Sequence, residues 1–265
     1  MKIGFIGCGN MATAIIDGVI NSKFEKAENV CVYDVSQVAL DSAKEKYGVT
    51  SCQTETDLVY SSDVIILAVK PNVISSVLNK IDNVIAEKKP LIVSIAAGKT
   101  ISFIESNLTT SQRIIRVMPN INAKVAEAIC AYCANSNCNE SDKSFISSLL
   151  SKIGKSLELD ESYFPLFGVL GGCAPAFAYM FIDSLARAGV KNGMKKDDAL
   201  KIAAQTVYGS AKMILESDEH PWKLIDNVCS PGGTTIEGVT SLQSDGFESA
   251  VCNAVDKALE KDKKL

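Results

Sequence analysis

The feature that most constrains this chain is a glycine-rich turn between an apolar strand and an amphipathic helix near its start. Residues 2–7 read KIGFIG, and Gly7, Gly9 and Ala12 then complete the pattern G-x-G-x-x-A. In a dinucleotide-binding unit, the first glycine permits a tight turn and the second lets the backbone approach a pyrophosphate. The small third residue keeps the helix close to the sheet. A tight turn that binds nothing is the alternative interpretation of the same residues.

Strand-like and helix-like segments alternate over residues 1–158. The segments NVCVYD, DVIILAVKP, PLIVSIAAG and RIIRVMPN are short and almost wholly apolar, as expected for parallel strands buried on both faces. From Pro165 onward the patterns are helical. We therefore predict an α/β fold with an N-terminal Rossmann-type parallel sheet over residues 1–158. A C-terminal all-α domain follows over residues 159–265.

The helical part carries more apolar surface than a small independent bundle can bury. Its segment PAFAYMFIDSLARAGV is apolar nearly all round, which predicts burial on every side. Four long helical segments are expected, beginning near Pro175, Lys196, Thr234 and Phe247. A homodimer, or an assembly of dimers, explains this excess of apolar surface.

Composition excludes several classes of function. A net charge of −4 and a pI near 5.2 give no electrostatic reason to bind nucleic acid or anionic lipid. No run of about 18 consecutive apolar residues was found, so we expect a cytoplasmic protein. Nine cysteines accompany a single histidine, which predicts reduced thiols and no metal site. Cys130 and Cys133 form a C-x-x-C within a predicted strand, where they should point to opposite faces. Lys261, Lys263 and Lys264 are expected in a solvated tail.

Two residues at the end of the second predicted strand bear on the choice of cofactor. Asp34 follows the fingerprint by some twenty residues, where a carboxylate normally accepts from the ribose 2′-hydroxyl of NAD and repels a 2′-phosphate. Ser36 could instead offer a hydroxyl to that phosphate. Asp34 could also be a plain helix N-terminal residue. The pattern favours NADH without excluding NADPH.

Five segments together resemble the pyrroline-5-carboxylate reductase family. They are GFIGCGNMATAI, AVKP at residues 68–71, SIAAG at residues 94–98, RVMPN at residues 116–120 and DNVCSPGGTTIEGV at residues 226–239. The resemblance implies reduction of 1-pyrroline-5-carboxylate to L-proline by hydride transfer from NADPH or NADH, the last step of proline biosynthesis. It also implies a dinucleotide domain followed by a helical domain through which subunits dimerise.

The resemblance and the fingerprint together give a set of expected cofactor-binding residues. These are Gly7, Cys8, Gly9, Asn10, Met11, Asp34, Ser36, Ala68, Val69, Lys70, Pro71, Ala96, Ala97, Met118, Pro119 and Asn120. The last three are expected at the nicotinamide end.

The substrate, a cyclic imine carboxylate, is expected at the segment SPGGTT. The expected residues are Ser230, Gly232, Gly233, Thr234 and Thr235. Glycines let the backbone close around a carboxylate, and the N–H groups of the following helix start would bind it. Thr235 is the expected catalytic residue, with its hydroxyl against the ring nitrogen. A plain helix cap built from Ser and Thr is the alternative. A protonated imine already accepts hydride readily, so position and charge matter more than a dedicated acid. His220 is accordingly not expected to be catalytic.

The chain departs from the family pattern in two segments. Residues 167–177 read FGVLGGCAPAF where the family often reads V-T-x-L-S-G-S-G-P-A-Y, so hydroxyls are missing at Gly168, Gly171 and Cys173. Residues 118–122 read MPNIN where M-P-N-T-P is usual. Three alternatives remain: a reductase of another cyclic imine, a β-hydroxyacid dehydrogenase and a non-catalytic dinucleotide sensor. The dehydrogenases use a lysine in the interdomain helix, but the helix from Pro175 has none before Lys191.

Overall fold

The computed structural model describes residues 1–262, so Lys263 and Lys264 of the expected tail lie outside the described part. The chain divides into two compact units, Met1–Gly172 and a second unit that begins at Cys173. The strands are β1 (Ile3–Ile6), β2 (Val30–Tyr33), β3 (Thr50–Ser51), β4 (Val64–Leu67), β5 (Leu91–Ser94), β6 (Ile114–Met118), β7 (Ala128–Ala134) and β8 (Gly154–Glu158). The helices of the first unit are α1 (Asn10–Asn21), α2 (Gln37–Tyr47), α3 (Glu55–Ser61), α4 (Ile74–Lys88), α5 (Ile101–Glu105), α6 (Glu140–Leu150) and α7 (Phe164–Phe167).

The strands of the first unit form one sheet in the order β3-β2-β1-β4-β5-β6-β7-β8. Ile3 of β1 pairs with Val30 of β2 on one side and with Val64 of β4 on the other. The chain therefore builds outward from β1 in one direction and then in the other. This reversal at β1 and β4 is the topological switch point, where open α/β sheets bind ligands at the carboxyl ends of their strands.

The predicted parallel sheet is correct for β1 to β6 and wrong for β7. Strand β7 runs antiparallel to β6, with Ile115 opposite Ala134, and β8 then pairs parallel to β7. Only residues 119–127 connect β6 to β7. A parallel return needs a crossover of a dozen or more residues, usually with a helix, and this connection is too short to supply one.

Both faces of the sheet are covered by apolar side chains, which explains the almost uninterrupted apolar strands. Val64 and Ile66 belong to one buried cluster, whereas Ile65 and Leu67 belong to the other. Cys130 and Cys133 likewise lie in different clusters, as the strand pattern predicted. All nine cysteines are free thiols. Among the described residues, no group of three His, Cys, Asp or Glu side chains is arranged to hold a metal ion.

The second unit is helical, as predicted. Its helices are α8 (Ala174–Lys191), α9 (Lys196–Glu216), α10 (Pro221–Val228), α11 (Thr234–Ser244) and α12 (Phe247–Asp262). Within the described part of this unit, the buried hydrophobic residues are Ala186, Ala199 and Ala203. Tyr179 and Met180 of α8 are 57% and 75% exposed, so the burial expected for α8 is not provided by a single chain.

One helical run within residues 1–262, Glu161–Lys191, is long and apolar enough to cross a membrane by length and composition alone. Its most apolar window has a mean hydropathy of 1.6. A helix that a second subunit covers passes the same test, because lipid and a protein interface both favour apolar side chains.

The first compact unit extends beyond the last strand and ends at Gly172. The boundary between residues 158 and 159 stays a prediction for the functional domains. Phe164 and Phe167 belong to the first unit because their buried side chains lie in the apolar cluster on one face of the sheet. The first helical turns after β8 therefore belong to the first unit's core.

Candidate active site

Five neighbouring strands end in segments that the sequence analysis assigned to a cofactor. The strands β2, β1, β4, β5 and β6 are adjacent in the sheet and parallel, so their carboxyl ends lie along one edge. The predicted segments at residues 34–36, 7–11, 68–71, 96–97 and 118–120 follow or end these strands in that order. The fold thus brings all sixteen predicted cofactor residues to one edge of one unit.

The two fingerprint glycines have opposite surroundings. Gly7 has φ +105°, and a Cβ there would lie 2.7 Å from the Ala68 carbonyl oxygen. Its N–H donates to the Tyr33 carbonyl over 2.7 Å, so the turn joins the ends of three strands. Gly9 is the N-cap of α1, and a Cβ there would meet no atom within 4 Å. Only glycine fits at Gly7, whereas at Gly9 the absent side chain leaves the helix start accessible.

The start of α1 is suited to an anion. Gly9 provides no side-chain cap, so Asn10 and Met11 present their N–H groups at the beginning of the helix. Ala12 is 1% exposed and packs in the core, as the fingerprint predicts. Burial, with a smaller contribution from Asp34, raises the pKa of the Cys8 thiol to about 12. Cys8 is therefore neutral and does not repel a phosphate.

Asp34 braces the glycine-rich turn. One carboxylate oxygen accepts from the Cys8 N–H over 2.7 Å, and the other accepts from the Ser36 N–H over 2.8 Å. The N-cap of α2 is Ser36, whose Oγ accepts from the Ala39 N–H over 3.4 Å. Asp34 is thus not the helix cap considered above. Each carboxylate oxygen has a further lone pair, so Asp34 can still accept from a ribose hydroxyl. The Ser36 hydroxyl keeps its own proton, which it can donate to a ribose phosphate.

The segments after β4 and β5 follow the same edge. Val69 packs beside the apolar cluster, and Lys70 is exposed ahead of Pro71, which starts a short 3₁₀ turn. Ala96 is buried, and its N–H donates to the Oγ of buried Ser94 over 3.3 Å. Ala97 is exposed. Apart from Lys70, the predicted residues of these two segments are small or apolar.

The three residues expected at the nicotinamide end differ in exposure. Met118 and Pro119 are half-buried, whereas Asn120 is 5% exposed. The Asn120 amide donates to the Gly171 carbonyl over 3.0 Å, and its Oδ1 accepts from the Ile129 N–H over 3.3 Å. Gly171 lies within a π-helical segment, Gly168–Cys173. The side chain of Asn120 is therefore engaged within the protein, which leaves Met118 and Pro119 as the more accessible residues.

The predicted substrate segment precedes α11 in the second unit. Gly232 has φ +66°, and the Gly233 N–H donates to the Ser230 carbonyl over 3.0 Å. A Cβ at Gly233 would lie 2.3 Å from Ser230 Oγ. Gly233 is the N-cap of α11 and offers no side-chain cap, and Thr234 and Thr235 are the first two helical residues. The turn thus presents a hydroxyl group and uncapped N–H groups within a few residues.

His220 has a structural role. It is the N-cap of α10, and its Nδ1 accepts from the Trp222 N–H over 3.3 Å. Pro221 follows in the first turn of α10, where proline is common because its missing N–H needs no partner.

Arg116 and Glu161 form an ion pair that was not predicted from the sequence, with 2.9 Å between Nη1 and Oε1. The available signal was a charged residue in the middle of an apolar strand.

Comparisons with known proteins agree over the whole chain. The family model described as pyrroline-5-carboxylate reductase dimerisation matches residues 161–265. The model described as NADP oxidoreductase, coenzyme F420-dependent, matches residues 2–98. The pyrroline-5-carboxylate reductase of Methanosarcina acetivorans is 40% identical over 264 residues, which cover 100% of this chain and 97% of that protein. The Escherichia coli enzyme is 39% identical over 265 residues, covering 100% and 98% respectively.

Solved structures of pyrroline-5-carboxylate reductases from two further organisms are also similar to this chain. The pyrroline-5-carboxylate reductase of Coxiella burnetii matches with a TM-score of 0.94 and 32% identity, covering 99% of this chain and 97% of that one. The Plasmodium falciparum enzyme, solved with NADP bound, matches with a TM-score of 0.87 and 34% identity, covering 100% and 97%.

Proposed function

Because the chain belongs to the pyrroline-5-carboxylate reductase family, we propose that it binds the cofactor at the sheet edge where the parallel strands have their carboxyl ends. We also propose that the turn before α11 binds the substrate. The chain is an oxidoreductase that reduces 1-pyrroline-5-carboxylate to L-proline with NAD(P)H, in proline biosynthesis. The helical region of residues 161–265 mediates self-association.

The contrast between Gly7 and Gly9 carries the cofactor assignment. Gly7 is required by its positive φ and its contact with Ala68, whereas nothing in the protein requires a glycine at Gly9. An accessible helix start beside a missing side chain is what a pyrophosphate needs. Bound NAD(P)H supplies the hydride. The protein's contribution is to hold the loops after β1, β2, β4, β5 and β6 in fixed positions.

The substrate proposal rests on the turn that Ser230 and Gly233 form. The N–H groups at the start of α11 and the Ser230 hydroxyl would bind the carboxylate, because oxyanions are bound well by helix starts without a side-chain cap. Thr235 would place its hydroxyl against the ring nitrogen and fix which ring face receives hydride. The imine nitrogen carries its own proton near neutral pH, so no side chain is assigned as an acid.

Replacing Thr235 by valine tests this role. The variant removes the hydroxyl and keeps the shape of the side chain, so one hydrogen bond to a charged partner is lost, at a cost of about 1.5–3 kcal/mol. Catalytic efficiency should fall roughly 10- to 150-fold, and turnover should fall with it because the bond also orients the ring. The affinity for NAD(P)H should stay unchanged. Wild-type turnover in Thr235→Val would reduce Thr235 to a helix residue without a catalytic role.

Steady-state assays with the wild-type protein decide between the candidate functions. Pyrroline-5-carboxylate and its six-membered analogue should each be tested with NADH and with NADPH. Preferential turnover of the five-membered imine is the expected result. Preferential turnover of the six-membered ring would identify a reductase of another cyclic imine. Cofactor binding without turnover of either substrate would identify a dinucleotide sensor.

The self-association is proposed to be an obligate homodimer, or an assembly of dimers, formed through the helical unit. In one chain, Tyr179 and Met180 of α8 are largely exposed, and Leu185 and Val190 are each somewhat less than half exposed. Apolar surface of this extent is normally covered by a partner. A folded, active monomer at micromolar concentration in light scattering would contradict the dimer. We also place the protein in the cytoplasm, because its free thiols suit a reducing compartment.

A further inference from the structure

Arg116 is a charged side chain buried in the strand that leads to Met118 and Pro119. Its side chain is 6% exposed, and its Nη1 lies 2.9 Å from Glu161 Oε1. Its guanidinium carbon lies 4.4 Å from the centre of the Phe164 ring. A buried cation is costly unless it is paired, so the strand is held to the segment that carries Glu161 and Phe164.

The same carboxylate oxygen of Glu161 makes a second contact. It accepts from the Ile101 N–H over 2.9 Å, at the start of α5. This N–H follows the segment of residues 94–98, which the proposed function places against the cofactor. One oxygen atom therefore ties the loop after β5, the strand β6 and the segment that follows β8. We call Arg116, Glu161 and the Ile101 N–H the Glu161 clamp.

Met118 lies beside the Glu161 clamp, on the same face of β6. Residues two apart on a strand point to the same face, so Met118 and Arg116 lie side by side. A Cβ at Gly168 would lie 3.5 Å from Met118 Sδ, which places the later helical turns of this segment against Met118. The segment thus contacts the face of β6 twice, at Arg116 through Glu161 and Phe164, and at Met118 through Gly168.

We propose that Arg116 and Glu161 are positioning residues for hydride transfer, which set the loops at the nicotinamide end. This inference rests on the proposed function of the sheet edge. Loss of the clamp should loosen residues 96–101 and 116–120 relative to each other. The reacting atoms would then be held less accurately, while the rest of the sheet would stay folded.

A second ion pair in the same region provides a matched control. Arg113 Nη1 lies 2.7 Å from Asp142 Oδ1, and the Asp142 side chain is 3% exposed. Arg113 directly precedes β6, at the amino end of the strand and away from the proposed cofactor edge. Removing Asp142 should therefore reduce stability without disturbing the loops that the Glu161 clamp holds.

The experiment compares Glu161→Ala, Glu161→Gln and Arg116→Lys with Asp142→Ala. Amide hydrogen exchange is measured without cofactor, and the dissociation constant for NADPH is measured by fluorescence. Kinetics give kcat, KM and the primary isotope effect with NADPH deuterated at the transferred position. In Glu161→Ala, exchange at residues 96–101 should accelerate and kcat should fall about 10- to 100-fold, as expected for misplaced reactants. KM for the imine should stay within about twofold, and the isotope effect should rise.

The conservative variants keep the inference testable even if Glu161→Ala is poorly folded. Glu161→Gln retains an oxygen for the Ile101 N–H, so its kcat should lie between those of Glu161→Ala and the wild type. Arg116→Lys retains the charge and should lose less activity than Glu161→Ala. Asp142→Ala should lower the melting temperature but leave the isotope effect and exchange at residues 96–101 unchanged.

Two results would overturn the inference. The first is wild-type kcat, isotope effect and exchange in a folded Glu161 variant. The second is an equal loss of kcat in Asp142→Ala, which would make both ion pairs general stabilising contacts. Absence of imine turnover by the wild-type protein would refute the proposed function instead. The clamp would then be decided by amide exchange at residues 96–101, which is measured without turnover.

Discussion

Replacing Gly9 by alanine separates cofactor binding from folding. Gly9 has φ −71° and ψ −179°, and a Cβ there would meet no atom within 4 Å. Alanine is a poorer N-cap than glycine by about 1 kcal/mol or less. The reduced freedom of the unfolded chain offsets about 0.4–1 kcal/mol of that loss. The free energy of unfolding should therefore change by no more than about 1 kcal/mol.

The same methyl group should strongly weaken cofactor binding. It would stand where a pyrophosphate must approach the N–H groups of Asn10 and Met11 at the start of α1. Loss of one hydrogen bond to a charged group costs about 1.5–3 kcal/mol. The dissociation constant for NADPH should therefore rise roughly 10- to 150-fold.

Gly7→Ala is the matched variant with the opposite signature. A Cβ at Gly7 would lie 2.7 Å from the Ala68 carbonyl oxygen and 2.8 Å from its carbon, and φ is +105°. Backbone strain of about 1–3 kcal/mol and overpacking of about 1–3 kcal/mol should both destabilise the protein. Thermal unfolding without cofactor and fluorescence titration with NADPH measure the two effects separately. Wild-type NADPH affinity in Gly9→Ala would show that the pyrophosphate does not approach Gly9. An unchanged melting temperature in Gly7→Ala would refute the steric argument.

Two further predictions concern the ribose and the substrate turn. Asp34→Ser and Asp34→Asn should both raise the efficiency with NADPH relative to NADH, because each removes a negative charge beside a 2′-phosphate. Asp34→Ser should also weaken both cofactors, since the Cys8 N–H loses its acceptor. An unchanged ratio in both variants would mean that Asp34 does not face the ribose. Gly233→Ala should displace the Ser230 hydroxyl, which would lie 2.3 Å from the new Cβ, and Ser230→Ala removes that hydroxyl outright. Both should raise KM for the imine at constant NADPH affinity, and a normal KM in both would exclude the turn from carboxylate binding.

The gathering of the proposed cofactor residues at one sheet edge was predictable because its signals are local. A glycine with positive φ, an accessible helix start and apolar strands all leave marks in short stretches of sequence, and Gly7 and Gly9 have the surroundings that the fingerprint implies. Three features of the sheet were not predicted. The direction of β7 depends on the length of the connection from β6, not on the composition of either strand. The strand β3 has only two residues, too few to show a period. The strand β8 reads GKSLE, and a single large apolar residue is too weak a signal for a strand.

Contacts between distant residues account for most of what the sequence did not reveal. Asp34 was interpreted through its position after β2, but its oxygens accept from the Cys8 and Ser36 N–H groups, which no spacing rule predicts. Glu161 has no motif around it, and its importance follows only from its contacts with Arg116 and Ile101. For α8 the apolar composition predicted burial, but within residues 1–262 Tyr179 and Met180 remain largely exposed.

The departure from the usual family pattern at Gly171 is accompanied by a second departure one helical turn earlier. Where the family often reads valine and serine, this chain has Phe167 and Gly171. Here a Cβ at Gly171 would lie 3.0 Å and 3.1 Å from two ring carbons of Phe167, which is 8% exposed in the core. A Cβ at Gly171 would require this packed ring to shift by a few tenths of an ångström, so we expect the larger residue at position 167 to favour the smaller one at position 171.

A double-mutant cycle tests this compensation. Gly171→Ser should destabilise the protein by about 1–3 kcal/mol through overpacking. Phe167→Val should destabilise it by about 2–4 kcal/mol, because it leaves a cavity. In the double variant the serine occupies part of that cavity, so the total loss should be smaller than the sum by about 0.5–3 kcal/mol. Gly168→Ser is the control, since a Cβ there would be in ordinary contact with Met118 at 3.5 Å. Chemical denaturation measures the wild type and the four variants, and additive losses would show that Phe167 does not dictate the glycine at position 171.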